Sequence, residues 1–292
     1  MVLTFLISFA VTLYIKSDNP TGQIDSIADE IFSQDKPLKR GNAPEIKTLF
    51  DERNKIPFDP SKYKEDKEVS LDTPPERKAE ELGVLDTVDR LTSIAPAVEE
   101  KLKGLEHYVT IEELPTFLCQ AVVAVEDNRF YNHKGFDFIG IARAVFVNVE
   151  AGEIQEGAST ITQQTVKNLF LTSDQTFTRK AEELVLAMNM EKDFDKDKIL
   201  EIYLNVIYFG SNFYGIYDAA QGYFGKEPAD LTIAECAMLA GLPNAPSLYS
   251  PYVDFHLAKK RQLIVIDAME KYGVISSREA ESARIEEIIL AQ

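Results

Sequence analysis

Three dense blocks of polar residues lie inside one apolar stretch, from Ala121 to Glu201. The first is Glu126-Asp127-Asn128-Arg129-Phe130-Tyr131-Asn132-His133-Lys134-Gly135. The second is Gly157-Ala158-Ser159-Thr160-Ile161-Thr162-Gln163-Gln164-Thr165-Val166-Lys167-Asn168. The third is Arg179-Lys180-Ala181-Glu182-Glu183, followed by Ile199-Leu200-Glu201-Ile202-Tyr203-Leu204-Asn205. A carboxylate pair, two adjacent amides and several cations set between Val, Ile and Leu runs suit a site that moves a proton beside a bound anion. A carboxylate serves as general base when partial burial raises its pKa toward the working pH. Lys, Arg, hydroxyls or a divalent metal stabilise a departing anion.

Glu126 is the candidate base, delivered at the end of an apolar helix; the bland alternative is a helix-terminal carboxylate. Asp127 suits orienting the loop or bonding to backbone. His133 either orients the same loop or is a hydrogen-bonded structural histidine. Phe130 reads as an anchor and Gly135 as a turn. On a helix, positions 160, 163, 164 and 167 share one face. Ser159, Thr162, Gln163, Gln164 and Lys167 form this group, and the face with the amide pair and the ammonium is read as one wall of a cleft. Ser159 beside free helix N-terminal amides suits an anion, and Lys167 supplies a point charge. Arg179 and Glu183 stand one turn apart, so a surface ion pair is the plain alternative there. Glu201 and Asn205 read as supports.

The elements that must position these groups are helices. Apolar periodicity predicts helices over Thr116–Val125, Phe136–Val149, Ser159–Leu171, Thr178–Lys192, Lys196–Tyr208, Tyr214–Phe224 and Leu231–Leu242, then a hairpin of Asp254–Lys271 and Ser276–Leu290. Capping boxes are expected at Thr110 with Glu113 and at Thr232 with Glu235, and Asp195 caps its helix. The helix from Phe136 is apolar nearly all round and suits either core or a membrane surface. Sustained period-two alternation is scarce, so the expected class is mainly α.

The 292 residues hold 45% hydrophobic side chains, enough for a sizeable core. With 48 acidic against 31 basic residues, the net charge of −17 argues against a nucleic-acid partner. The two cysteines, Cys119 and Cys236, read as buried thiols, and with three histidines a structural zinc is not expected. Met1 to Ile15 is an uncharged apolar run, shorter than the ~20 residues a spanning helix takes. We read residues 1–16 as a signal-anchor with a missing or very short cytoplasmic end, residues 17–105 as a polar tether, and 106–292 as the catalytic domain. Arg77 to Leu105 nonetheless has helical periodicity that suits packing on that domain. Ser61-Lys62-Tyr63-Lys64 matches S-x-x-K, but no K-T-G follows it.

These blocks resemble the peptidoglycan glycosyltransferases, whose patterns E-D-x-x-F-x-x-H-x-G, G-x-S-T-I-T-Q-Q-x-x-K-N, R-K-x-x-E and I-L-E-x-Y-L-N stand here in order. The resemblance covers roughly Ile111 to Pro251. It implies a lysozyme-like fold of two helical lobes and polymerisation of lipid II into β-1,4 glycan. It makes Glu126 the base and Glu183 the second essential carboxylate. Asp127, Arg143, Ser159, Thr162, Gln163, Gln164, Lys167, Arg179 and Lys180 become substrate contacts. It implies a divalent metal, Mg²⁺ or Mn²⁺, near Glu183, and no organic cofactor. Partners would be lipid II, the growing lipid-linked strand, the cytoplasmic membrane and other cell-wall synthesis proteins, with the domain on the extracytoplasmic face. The family commonly places a cation where this chain has Gln175; Lys180, Arg143 or a metal would substitute. With no transpeptidase following, a monofunctional enzyme without a penicillin-binding serine is expected. Two rivals are a peptidoglycan-cleaving enzyme, which has no diphosphate to bind, and a non-catalytic membrane-anchored scaffold.

Overall fold

The computed structural model describes residues 93–141, 159–171 and 177–291. The anchor, nearly all of the tether, Arg143, Gln175 and most of the expected helix from Phe136 to Val149 lie outside the described residues. The chain divides into two compact units, Met1–Asp66 with Phe138–Ala158, and Lys67–Asp137 with Ser159–Gln292. The second carries the polar blocks and is described here.

It is helical among the described residues, with a single antiparallel bridge between Tyr208 and Tyr214. The helices of more than one turn among the described residues are α1 (Ala95–Lys103), α2 (Thr116–Glu126), α3 (Ile161–Phe170), α4 (Phe177–Asp193), α5 (Lys196–Val206), α6 (Ile216–Phe224), α7 (Ile233–Gly241), α8 (Phe255–Lys271) and α9 (Ser277–Ile285). No helix among the described residues is long and apolar enough to cross a membrane.

α7 is the buried axis. Ala234, Cys236, Ala237, Ala240 and Gly241 are small, so α2 and α8 pack closely on it. The boundaries follow the cap chemistry. Thr232 accepts from the Glu235 amide while Glu235 accepts from the Thr232 amide, and Asp195 accepts from the Lys198 amide. The one charge buried with α7, Glu235, is paired with Lys226 at 2.7 and 2.9 Å. Cys119 and Cys236 are buried and unbridged, and burial pushes the Cys119 thiol up to about 11.

Within the stretch from Arg77 to Leu105, whose periodicity suits packing on the domain, Ile94 and Val98 are fully buried. The Asp193 carboxylate at the end of α4 accepts from Ser93 Oγ, Ile94 N and Ala95 N at 2.8–3.2 Å, which starts α1. The last helix ends at Ile285, short of the expected Leu290. Beyond it the chain runs along α6: the Ala291 amide donates to Tyr223 O at 2.8 Å, and Ile288 is buried.

α5 meets the segment before α2 through the last motif. Asn205 binds both sides of Val109, accepting from its amide and donating to its carbonyl, each at 2.8 Å. Glu201 accepts from Tyr108 Oη and from the Ile111 amide. The adjacent turn is equally tight. Gly215 has φ +83° and ψ 158°, and a Cβ there would lie 2.7 Å from Asn205 O. That conformation belongs almost only to glycine. Gly215→Ala is expected to cost at least about 1–3 kcal/mol, read as a lowered urea midpoint.

Candidate active site

The loop after α2 is held rigid from several sides. Asp127 accepts from His133 Nε2 and from the Ile161 amide at 3.0 Å, which ties the end of α2 to the start of α3. Thr160 Oγ1 donates to Gly135 O at 2.7 Å. Gly135 has φ +86°, and its missing Cβ would sit 3.0 Å from the Ala187 backbone, so the loop lies directly on α4. Phe130 is fully buried, with the Lys196 ammonium 4.4 Å from its ring centre. Arg129 pairs with Asp137 at 3.1 Å. Both Asp127 and His133 are buried, and His133 Nδ1 has no partner among the described residues.

This frame leaves Glu126 at the end of α2 with a side chain only 7% exposed. Its Oε2 accepts from Gln164 Nε2 at 3.0 Å, and its Oε1 lies 3.5 Å from Arg261 Nη2. Burial raises its pKa above the ordinary carboxylate range, against the lowering effects of Gln164 and Arg261. Beneath it lies Tyr203, fully buried, whose hydroxyl is 3.5 Å from Gln164 Oε1.

The second carboxylate is surrounded differently. Glu183 is 2% exposed. Its Oε1 accepts from Gln163 Nε2 at 3.0 Å and from Lys180, and its Oε2 accepts from Arg179 Nη1 at 3.1 Å. Lys180 also reaches Ser159 Oγ at 3.4 Å. The adjacent amides of α3 thus divide their work: Gln163 serves Glu183, and Gln164 serves Glu126. Thr160 fixes their register, because its hydroxyl accepts from the Gln163 amide while Gln163 Oε1 accepts from the Thr160 amide.

Ser159, Gln163, Arg179 and Lys180 thus gather around Glu183, while Gln164 serves Glu126, and Lys167 lies exposed on the next turn of α3. Two expected contacts face elsewhere. Thr162 is fully buried and donates to Glu191 at 2.5 Å, and Glu191 is also paired with Lys196. Asp127 spends its oxygens on His133 and the start of α3. Arg261, which closes the site from α8, was missed. Its signal was present: Lys259-Lys260-Arg261 is a run of three cations between Leu257-Ala258 and, after Gln262, Leu263-Ile264-Val265.

The groups around Glu183 do not fit a metal held by the protein. No three His, Cys, Asp or Glu side chains converge among the described residues, and a divalent ion at Glu183 would sit against two cations. What the arrangement offers is a desolvated carboxylate beside a cluster of cations and amides.

A transglycosylase family model matches residues 96–270. Penicillin-binding protein 1A of Neisseria flavescens is 50% identical over 181 residues, covering 62% of this chain and 23% of that protein. Penicillin-binding protein 1F of Bacillus subtilis (strain 168) is 48% identical over 176 residues, covering 60% of this chain and 25% of that protein. The chain thus spans about a quarter of the length of these relatives. A crystal structure of penicillin-binding protein 1A from Haemophilus influenzae aligns with TM-score 0.40 and 25% identity, over 64% of this chain and 18% of that one. The matched stretch contains Glu126, Gln163, Gln164, Glu183 and Arg261.

Proposed function

This chain belongs to the transglycosylase family, and from that premise we propose that it is a peptidoglycan glycosyltransferase that polymerises lipid II. The observation that carries the proposal is the contrast between two glutamates served by adjacent amides. Glu126 is desolvated, and burial raises its pKa; Glu183 is paired with two cations, Arg179 and Lys180. A reaction that removes a proton at one point and releases a diphosphate at another needs that pair of environments.

In the proposed reaction Glu126 takes the proton from the GlcNAc 4-hydroxyl of lipid II. That oxygen forms a bond to the anomeric carbon of the growing strand's terminal MurNAc. The bond from that carbon to the diphosphate oxygen breaks, and polyprenyl diphosphate leaves with the electron pair. Attack opposite the leaving group inverts the centre, giving a β-1,4 linkage. Lys180 and Lys167, the more exposed cations, meet the diphosphate. Arg179 stands behind them, and Ser159 adds a hydroxyl. Glu183 keeps Arg179 and Lys180 aimed in the absence of substrate. Arg143 remains in the proposal as a further donor contact. A divalent metal, Mg²⁺ or Mn²⁺, enters only as a counter-ion brought by the diphosphate, and no step is routed through it.

We place the domain, with its two-lobed lysozyme-like fold, on the extracytoplasmic face of the cytoplasmic membrane, where both lipid-linked substrates lie. Confinement to one plane raises effective concentration. The test is the product: incubation of the full chain with labelled lipid II should give glycan that a muramidase cuts to disaccharide units. Lipid II left intact by folded protein would reject the proposal.

A further inference from the structure

Arg261 comes from α8, separated from Glu126 by 135 positions, and the reaction assigned above gives it no part. Three contacts fix its side chain. Its Nε donates to Gly241 O at 3.1 Å. Its guanidinium carbon lies 5.8 Å from the Tyr249 ring centre. Its Cγ would be 2.8 Å from a Cβ at position 241, so it lies against a face that only glycine leaves open. From that seat Nη2 points at Glu126 Oε1, and the Arg261 side chain is 13% exposed.

We propose that Arg261 is the positioning residue for Glu126, and that its reach depends on glycine at position 241. The inference rests on the assignment of Glu126 as base. Among the described residues, four groups face that carboxylate: Gln164 from α3, Arg261 from α8, the neighbouring Asp127, and the buried hydroxyl of Tyr203 from α5. Burial and Asp127 favour the protonated form. Gln164 and Arg261 favour the carboxylate. The 3.5 Å separation is longer than the ~2.7–2.9 Å of a close charge-assisted bond. A closer pair would draw the Glu126 pKa further down, and loss of the cation would leave burial and Asp127 to raise it. The seat that Gly241 leaves open sets the distance from Arg261 to the carboxylate.

The experiment is the pH dependence of kcat/KM for lipid II polymerisation, in the parent, Arg261→Gln, Arg261→Lys and Gly241→Ala. The base works deprotonated, so the rate rises with pH through its pKa. Removing a nearby cation raises that pKa, which moves the acidic limb to higher pH. Arg261→Gln should shift the limb upward by about one unit. The rate below the limb then falls about tenfold and recovers toward the parent's plateau at high pH. Arg261→Lys should keep the limb nearer the parent's. Gly241→Ala should shift it upward although Arg261 is still present. A loss by the same factor at every pH, with the limb unmoved, would overturn the proposal. Should Arg261→Gln fail to fold, Gly241→Ala decides by the same limb, because an unmoved limb there also overturns it. Polymer made by Glu126→Gln would instead reject the base assignment underneath.

Discussion

Glu126→Gln is expected to reduce glycan polymerisation by about a hundred- to ten-thousand-fold, the range a positioned general base supplies. The amide keeps the shape and can still accept from Gln164, but it cannot take the acceptor's proton. Loss of fold is not expected to be the cause, and the pH dependence of stability checks this. The folded-state pKa of Glu126 lies above its unfolded value. A group of that kind favours the fold below the unfolded pKa, and that contribution is lost as pH rises through the folded pKa. Glutamine mimics the protonated form. The variant should therefore melt at or above the parent's temperature at pH 8, and the difference should shrink as the pH falls into the acid range. Thermal melts at two pH values beside the rate assay separate a chemical loss from a structural one.

Glu183→Gln should instead damage the fold and the activity together. Three donors, Gln163 Nε2, Lys180 Nζ and Arg179 Nη1, converge on one carboxylate that is almost fully buried. A glutamine offers one acceptor oxygen and turns an NH₂ toward donors that have nothing to receive from it. Breaking a buried ion pair from one side costs about 3–5 kcal/mol. Lys180 is 43% exposed and can turn to water, so the lower end of that range applies. A loss of about 3 kcal/mol lowers the melting temperature of a domain of this size by roughly 6–12 °C. The neighbouring Glu182→Gln, one residue away and partly exposed, should change it by less than about 0.5 kcal/mol. Equal melts for the two variants would contradict the assignment of Glu183 as the holder of the cation cluster.

Much of this arrangement was legible in the residues. Glu126, Gln163, Gln164, Lys180 and Glu183 stand out because polar side chains interrupt apolar helices, and interruption has to be compensated by partners. Helix starts at Asp195 and Thr232 were readable because capping is local chemistry. Two kinds of feature were not readable. One is which face a motif residue takes: Thr162 and Gln163 are neighbours in sequence, yet they point about 100° apart on the helix, one to Glu191 and the other to Glu183. The other is contact across long separations. The Asp193 cap on α1 and the Arg261 contact with Glu126 depend on how helices pack, which periodicity does not report. The same limit explains the end of the last helix, where Ile288 and Ala291 seat against α6 rather than continuing a turn.

The proposed enzyme builds glycan from a lipid diphosphate rather than cutting finished glycan. The most direct measurement sets the full chain, in parallel, against labelled lipid II and against insoluble peptidoglycan, scoring polyprenyl diphosphate release and soluble sugar release. Diphosphate should be released in step with polymer from lipid II, with no sugar from the insoluble wall. Soluble sugar from the wall with lipid II untouched would contradict it.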